Sequence, residues 1–197
     1  MFELKDVYKS FGDKRVLDGV SVKADGETVA LMGESGSGKT TAMRIIAGLE
    51  KADGGEINVE GKTAVVFAEP RLFESASVIE NITCVMDRTM PKDEKKRLAE
   101  ELLAAFGLDD AAHMYPNELS SGMAARVSLA RALASGADNF LFDEPFGALD
   151  EAVRGKVISA VKERLKGKSV LLITHSDSDA KAMTKQTLTL TGGKISE

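Results

Sequence analysis

The stretch Thr28-Val-Ala-Leu-Met32, Gly33-Glu-Ser-Gly-Ser-Gly-Lys-Thr40, Thr41-Ala-Met-Arg-Ile-Ile-Ala47 decides how this 197-residue chain folds. Its first part is a short apolar run of buried-strand type. Its last part has helical spacing, with Gly48 placed to end the helix. The middle, G-x-x-x-x-G-K-[ST], therefore falls where a strand turns into a helix. Gly33, Gly36 and Gly38 let successive backbone N–H groups curl around phosphate oxygens, Lys39 supplies a point charge to the outer phosphates, and the Thr40 hydroxyl is able to ligate Mg²⁺. The spacing predicts a nucleoside triphosphate with Mg²⁺ along Gly33, Glu34, Ser35, Gly36, Ser37, Gly38, Lys39, Thr40 and Thr41.

Upstream, β-like runs at Phe2 to Tyr8 and Val16 to Lys23 are separated by the Gly12-Asp13 turn, and Asp25-Gly26 precedes the strand at Thr28. Downstream, Asp53-Gly54-Gly55 and Gly61 bracket a strand at Glu56 to Glu60, followed by the apolar run Thr63 to Phe67. From Ser75 to about Ala134 the pattern is helical: Leu98, Leu102 and Phe106 recur every four residues, and Gly107 is placed as a C-cap. Lys95, Lys96, Arg97, Glu100 and Glu101 flank that stripe as a solvated helix face. Strand and helix then alternate: a strand at Asn139 to Phe142, a helix from about Glu151 to Leu165, a strand at Ser169 to Thr174, a short helix around Asp177 to Met183 and a strand near Gln186 to Leu190. This order predicts an α/β fold with a mainly parallel core sheet and an inserted helical lobe.

Composition narrows the function. Lys and Arg total 26 against 31 Asp and Glu, a net charge of −5, so there is no basic footprint and no nucleic-acid partner is expected. Cys84 is the only cysteine, which excludes an intrachain disulfide framework and favours a reducing compartment. The apolar stretch near Leu102 to Leu108 falls far short of the ~20 residues that span a bilayer. The start, Met-Phe-Glu-Leu-Lys-Asp, lacks the basic and apolar regions of a signal peptide. A cytoplasmic location is expected, with any membrane role coming through a partner.

Two further constellations carry chemistry. Phe140-Leu-Phe-Asp-Glu144 is a buried-strand pattern ending in two acids: Asp143 is placed to hold the Mg²⁺ shell and Glu144 to orient and deprotonate an attacking water. Tyr115-Pro-Asn-Glu-Leu-Ser-Ser-Gly-Met123 feeds an alanine-rich helix for which Ser120 is the N-cap; taken alone, this is a plain capped helix.

The order of phosphate loop, helical insertion, Leu119-Ser-Ser-Gly-Met123, Phe142-Asp-Glu144, Phe146-Gly-Ala-Leu-Asp150 and Thr174-His175 resembles the ATP-binding-cassette (ABC) ATPases over the whole chain. Within them, Val66-Phe-Ala-Glu-Pro-Arg-Leu-Phe73, Tyr115-Pro-Asn-Glu-Leu-Ser120 and Glu144-Pro-Phe-Gly-Ala-Leu-Asp150 look like the ATPase subunits of bacterial importers for nitrate, sulfonates or similar small solutes. The resemblance implies one ABC ATPase domain of the P-loop NTPase class, with N-terminal antiparallel strands, a core of 1–74 and 135–197 and a helical lobe of 75–134. It implies that Phe11 stacks on adenine, a role that a bare Phe after a strand, more often a core residue, does not suggest. Lys39 and Thr40 match the phosphate and Mg²⁺ contacts, Asp143 the Mg²⁺ carboxylate, Glu144 the general base and His175 a switch that senses the γ-phosphate. Ser120, Ser121, Gly122 and Met123 match a signature that caps the ATP of a second, head-to-tail subunit, and Phe146 to Asp150 a loop linking the two active sites. The implied partners are a second copy or a related subunit and an integral membrane permease, with the protein peripheral on the inner face of the membrane. No appended regulatory domain is expected.

The chain departs from the family pattern at Ala68, where Gln is usual, at Ser121, where Gly is usual, and at Ala124-Ala125, where Arg-Gln is common. Ala68 supplies no group for Mg²⁺ or water, and Ser121 adds a side chain beside a phosphate, so slow hydrolysis is expected. A nucleotide-gated dimerisation module with little hydrolysis is the second reading. A soluble cassette protein of DNA maintenance or translation is the third; the lack of a second cassette, of a long coiled-coil insertion and of a basic bias argues against it.

Overall fold

A computed structural model of the chain describes residues 1–196. The chain divides into two units, one formed by Met1–Val65, Asp138–Glu144 and the chain from Leu165, the other by Val66–Ala137 and Pro145–Arg164.

In the first unit, β1 (Phe2–Phe11), β2 (Lys14–Ala24) and β4 (Gly54–Val59) form an antiparallel sheet in the order β2-β1-β4. The β1–β2 hairpin runs two to three residues further than the sequence predicts, with Phe11 paired to Lys14 across the Gly12-Asp13 turn. The apolar alternation stops at Tyr8, yet pairing continues because backbone hydrogen bonds, not side chains, carry the ladder there. A second sheet has the order β5-β6-β7-β3-β8-β9, from β3 (Thr28–Met32), β5 (Thr63–Val66), β6 (Asn139–Asp143), β7 (Ser169–Ile173), β8 (Gln186–Thr191) and β9 (Lys194–Ser196). β6, β7, β3 and β8 are mutually parallel, and β9 returns antiparallel to β8. Every residue of β6 and β7 is buried, as expected of central strands in a parallel sheet. β9 is not expected from the sequence, because its three residues follow the Gly192-Gly193 turn and are too few to show a period. Helix α1 (Lys39–Ile46) follows β3 through the glycine loop, and α6 (Asp177–Met183) follows β7.

The second unit is helical. α2 (Val78–Thr83), α3 (Lys92–Ala105), α4 (Ser121–Ala134) and α5 (Glu151–Arg164) are its elements, α2, α3 and α4 packing on one another and α5 on α4. Leu102 and Phe106 are buried along α3, and Gly107 follows the Phe106 C-cap with φ 64°. The unit takes in the expected lobe 75–134 together with 66–74, 135–137 and Pro145–Arg164. Among the described residues no helix is long and apolar enough to cross a membrane.

Asn81 holds the irregular segment before α2. Its side chain is fully buried; Oδ1 accepts from Phe73 N at 2.8 Å, and Nδ2 donates to the carbonyls of Phe73, Ala76 and Ser77 at 3.0–3.1 Å. Asn81→Leu should leave the Phe73 N–H and the Ala76 carbonyl without the side chain that pairs them, the Phe73 and Ser77 carbonyls keeping the backbone N–H groups of Ala76 and Asn81, and cost about 2–3 kcal/mol, a fall in Tm of about 5–10 °C for a chain of this size. Thermal unfolding followed by circular dichroism checks this, and an unchanged Tm would remove Asn81 from the role.

Candidate functional site

The loop between β3 and α1 is shaped by close backbone approaches. Gly33 has φ 137°, and a Cβ there would run into the Leu190 carbonyl of β8; Gly38 has φ 110°, and a Cβ there would lie 2.8 Å from the Val16 carbonyl of β2. Gly36, with φ 78°, has open space, so its requirement is conformational alone. α1 begins at Lys39, two residues before the predicted start, so Lys39 and Thr40 sit in its first turn. No side chain caps this terminus, and its amides are free for an anion.

Lys39 is 9% exposed and folds back over the loop, its Nζ donating to the carbonyls of Gly33 at 2.7 Å and Glu34 at 2.8 Å. The Thr40 hydroxyl donates to Asp143 Oδ2 at 2.9 Å, bringing together residues 103 positions apart. Asp143 ends β6 with 8% exposure. Burial pushes its carboxyl above the ordinary range and the Glu144 charge adds to that, while the Thr40 hydrogen bond and the Lys39 charge pull the other way. The Ser37 hydroxyl is buried without a hydrogen-bond partner.

Glu144 follows at φ 48°, an uncommon left-handed conformation for a non-glycine residue, with its N–H donating to the Ile173 carbonyl at 3.0 Å. Its Oε1 lies 2.9 Å from His175 Nδ1, and its Oε2 accepts from the Thr174 hydroxyl at 3.4 Å. His175 is 77% exposed. Phe11 is half-exposed at the end of β1, which rules out the core reading of that residue. Phe11, Gly33, Ser35, Gly36, Gly38, Lys39, Thr40, Thr41, Asp143, Glu144 and His175, with Val16, line a cavity of about 470 Å³. Glu34 and Ser37 line a neighbouring hollow of about 200 Å³ with Lys14, Arg15 and Gly192. Sequence reasoning missed Val16, which enters through its backbone approach to Gly38, a contact that no residue pattern announces.

Ser120, Ser121, Gly122 and Met123 do not line the cavity and belong to the second unit. Ser120 caps α4, its hydroxyl accepting from Met123 N at 3.2 Å. Ser121 is the exposed first residue of that helix, without a positive φ, so a side chain there meets no backbone strain. Gly122 is the tight position, where a Cβ would lie 3.0 Å from the Ala148 carbonyl.

Residues 17–147 match the family described as ABC transporter. The chain is 42% identical over 198 residues to the aliphatic sulfonates import ATP-binding protein of Corynebacterium glutamicum, a match covering 98% of this chain and 81% of that one. The dimeric structure of a bacterial ABC transporter cassette superposes with a TM-score of 0.92 at 30% identity, covering 100% of this chain and 97% of the other. A dimeric post-hydrolysis state of an ATP-binding cassette, bound to ADP and phosphate, gives 0.91 at 30% identity with the same coverage. The chain belongs to the ABC transporter family.

The buried Asp143 sets a testable cost. Because its folded pKa is raised, the stability tied to its protonated form is present below the ordinary carboxylate range and is lost as pH rises through the folded value. Without ligand at neutral pH, Asp143→Asn should raise Tm by about 2–4 °C, equivalent to roughly 1 kcal/mol. The gain should shrink as pH falls toward the ordinary carboxylate range. Scanning fluorimetry reads both, and a variant less stable than wild type at neutral pH without ligand would contradict the assignment of the cost.

Proposed function

We propose that this protein is the ATP-hydrolysing subunit of an importer, pairing head to tail with a second copy or a related subunit around two ATP molecules to drive a membrane permease on the inner face of the membrane. The observation that carries this reading is the closure of Thr40 on Asp143 at 2.9 Å inside a cavity that also holds Lys39, Glu144 and His175. The importer assignment draws on the sulfonate-import relative, which makes small oxyanionic solutes of that kind the first to test. The whole chain is read as one ATPase domain, with 75–134 as its helical lobe.

The chain's own groups divide the work. The amides of Gly33 to Thr41 and the Lys39 ammonium hold the phosphates. Thr40 Oγ1 and the Asp143 carboxylate would hold Mg²⁺; the fit is good, because a buried carboxylate only partly offset by Thr40 and Lys39 gains from a second cation. Mg²⁺ supplies neutralisation of the charge that develops on the transferring phosphoryl group. Glu144 acts as the general base: Thr174 and His175 hold its two oxygens, and one of them takes the proton of the attacking water. His175 reports the state of the site by exchanging its Glu144 contact for the terminal phosphate. Phe11 stacks the base, and Ser120 to Met123 of one chain cap the nucleotide of the other.

Lys39→Ala should abolish ATP binding, because the phosphate site loses its motif cation. Glu144→Gln should keep the affinity while lowering turnover by about 10²-fold or more, since the amide preserves shape but accepts no proton. A dimer should accumulate on ATP in that variant. Equal nucleotide affinity in Lys39→Ala and wild type, by equilibrium binding, would sink the site.

Ala68 leaves the site one polar partner short of the family pattern. Turnover of the wild type should therefore be low, and Ala68→Gln should raise it about tenfold, equivalent to roughly 1–2 kcal/mol of barrier. Steady-state phosphate release decides, and no gain would mean that the missing amide is compensated elsewhere.

A further inference from the structure

Phe11 lines the nucleotide cavity with half its surface exposed. A side chain that exposed lacks the surrounding packing that fixes a ring, and a freely rotating ring is a poor platform for a base. Lys9 supplies the missing restraint. Its ammonium lies 4.9 Å from the Phe11 ring centroid, over one face, while Lys9 itself is 8% exposed and not part of the cavity lining.

The ammonium is itself held from three sides. It donates to the Lys51 carbonyl at 2.8 Å and pairs with Glu50 Oε1 at 2.7 Å and Asp53 Oδ1 at 3.6 Å. The Lys51 carbonyl and Glu50 hold the ammonium at hydrogen-bond distance and Asp53 adds a longer ion pair, so the lysine is anchored independently of the ring. The Glu50 hydrogen bond raises the Lys9 pKa against the opposing effect of burial, so the charge is present throughout the neutral range. The anchor is tied back to β1: Asp53 Oδ2 accepts from Ser10 N at 2.6 Å, and Asp53 N donates to the Tyr8 carbonyl at 2.8 Å.

We propose that Lys9 is a positioning residue that holds Phe11 in its base-stacking orientation and thereby sets the affinity for the base of the nucleotide independently of its phosphates. This rests on the nucleotide reading of the cavity. A fixed cation over one face also draws electron density from the ring, which favours stacking of an electron-rich purine on the opposite face. The segment Glu50–Asp53, outside the cavity, thus bears on base recognition through Lys9.

The test compares Mg²⁺–ATP with Mg²⁺–tripolyphosphate, which carries the phosphates without the base, on the full chain. Lys9→Met keeps the aliphatic stem and removes the charge. It should raise KM for ATP about three- to tenfold, leave kcat within about twofold and leave tripolyphosphate affinity unchanged, and that retained affinity also shows that the variant is folded. Lys9→Arg should restore KM. In a Phe11→Ala background, Lys9→Met should add nothing, because the lysine acts through the ring. An unchanged KM in Lys9→Met, a parallel loss of tripolyphosphate, or additive effects in the Phe11→Ala background would each overturn the proposal while leaving the nucleotide site standing. A wild type that bound neither ligand would overturn the nucleotide reading as well.

Discussion

Two points of contact where there is no room for a Cβ fix the position of the whole site. Gly33 sits against the Leu190 carbonyl of β8 and Gly38 against the Val16 carbonyl of β2, so the loop between β3 and α1 is gripped from the parallel sheet on one side and the antiparallel sheet on the other. The contacts are backbone to backbone, which no rotamer change relieves. With the loop gripped at both ends, α1 must start at Lys39, and Thr40 then falls within hydrogen-bond distance of Asp143 at the end of β6. The cavity, the turn of Lys39 back over the loop and the alignment of the first helical amides all follow from that registration.

The electrostatics of the site are unbalanced in a way that the fold does not correct. Asp143 is buried with one hydroxyl donor and a cation that is occupied by carbonyls, and its neighbour Glu144 adds a second negative charge. Glu144 is also held at φ 48° and accepts from the next strand end through Thr174 and His175. Backbone strain and uncompensated carboxylate charge at one spot are what a site built for a cation and a reacting water requires, and what a purely structural turn would shed.

The parts of this arrangement that were legible in the sequence are those that repeat with a period or occupy fixed spacing. The buried strands β3, β6 and β7 are short apolar runs, and the phosphate loop is a spacing of glycines. α1 starts two residues before the position its apolar spacing predicts because its cap is a glycine in a left-handed conformation, a geometry that residue type alone leaves open. β9 and the outer pairs of the β1–β2 hairpin escaped because pairing there depends on backbone hydrogen bonds between mostly exposed residues. At Phe11 the residue alone read as core, and the resemblance assigned it to the base; its exposure follows from the extended hairpin that carries it to the edge of the sheet. The Lys9 contact was not legible at all, since it needs the Glu50–Asp53 turn folded back beside β1. Ser121 stands in ordinary helical conformation in α4, and the tight backbone contact of that turn falls on Gly122, which no residue pattern distinguishes from its neighbour.

In the proposed reading, the two ends of a nucleotide are recognised by different layers of one unit. Phe11 and Lys9 belong to the antiparallel sheet, while Lys39 and Thr40 open the helix that follows the parallel strand β3 and Asp143 ends the parallel strand β6. The layers are joined at the site by β2, which carries Val16 to Gly38 and pairs Lys14 with Phe11. A displacement of that hairpin would move the aromatic platform and the phosphate loop together, whereas a side-chain change at Glu50 or Asp53 acts on the aromatic through Lys9. On that reading, base and phosphate affinities are separable by side-chain substitution at the turn and inseparable at the hairpin, a consequence of where the backbone leaves no space and where a side chain does the holding.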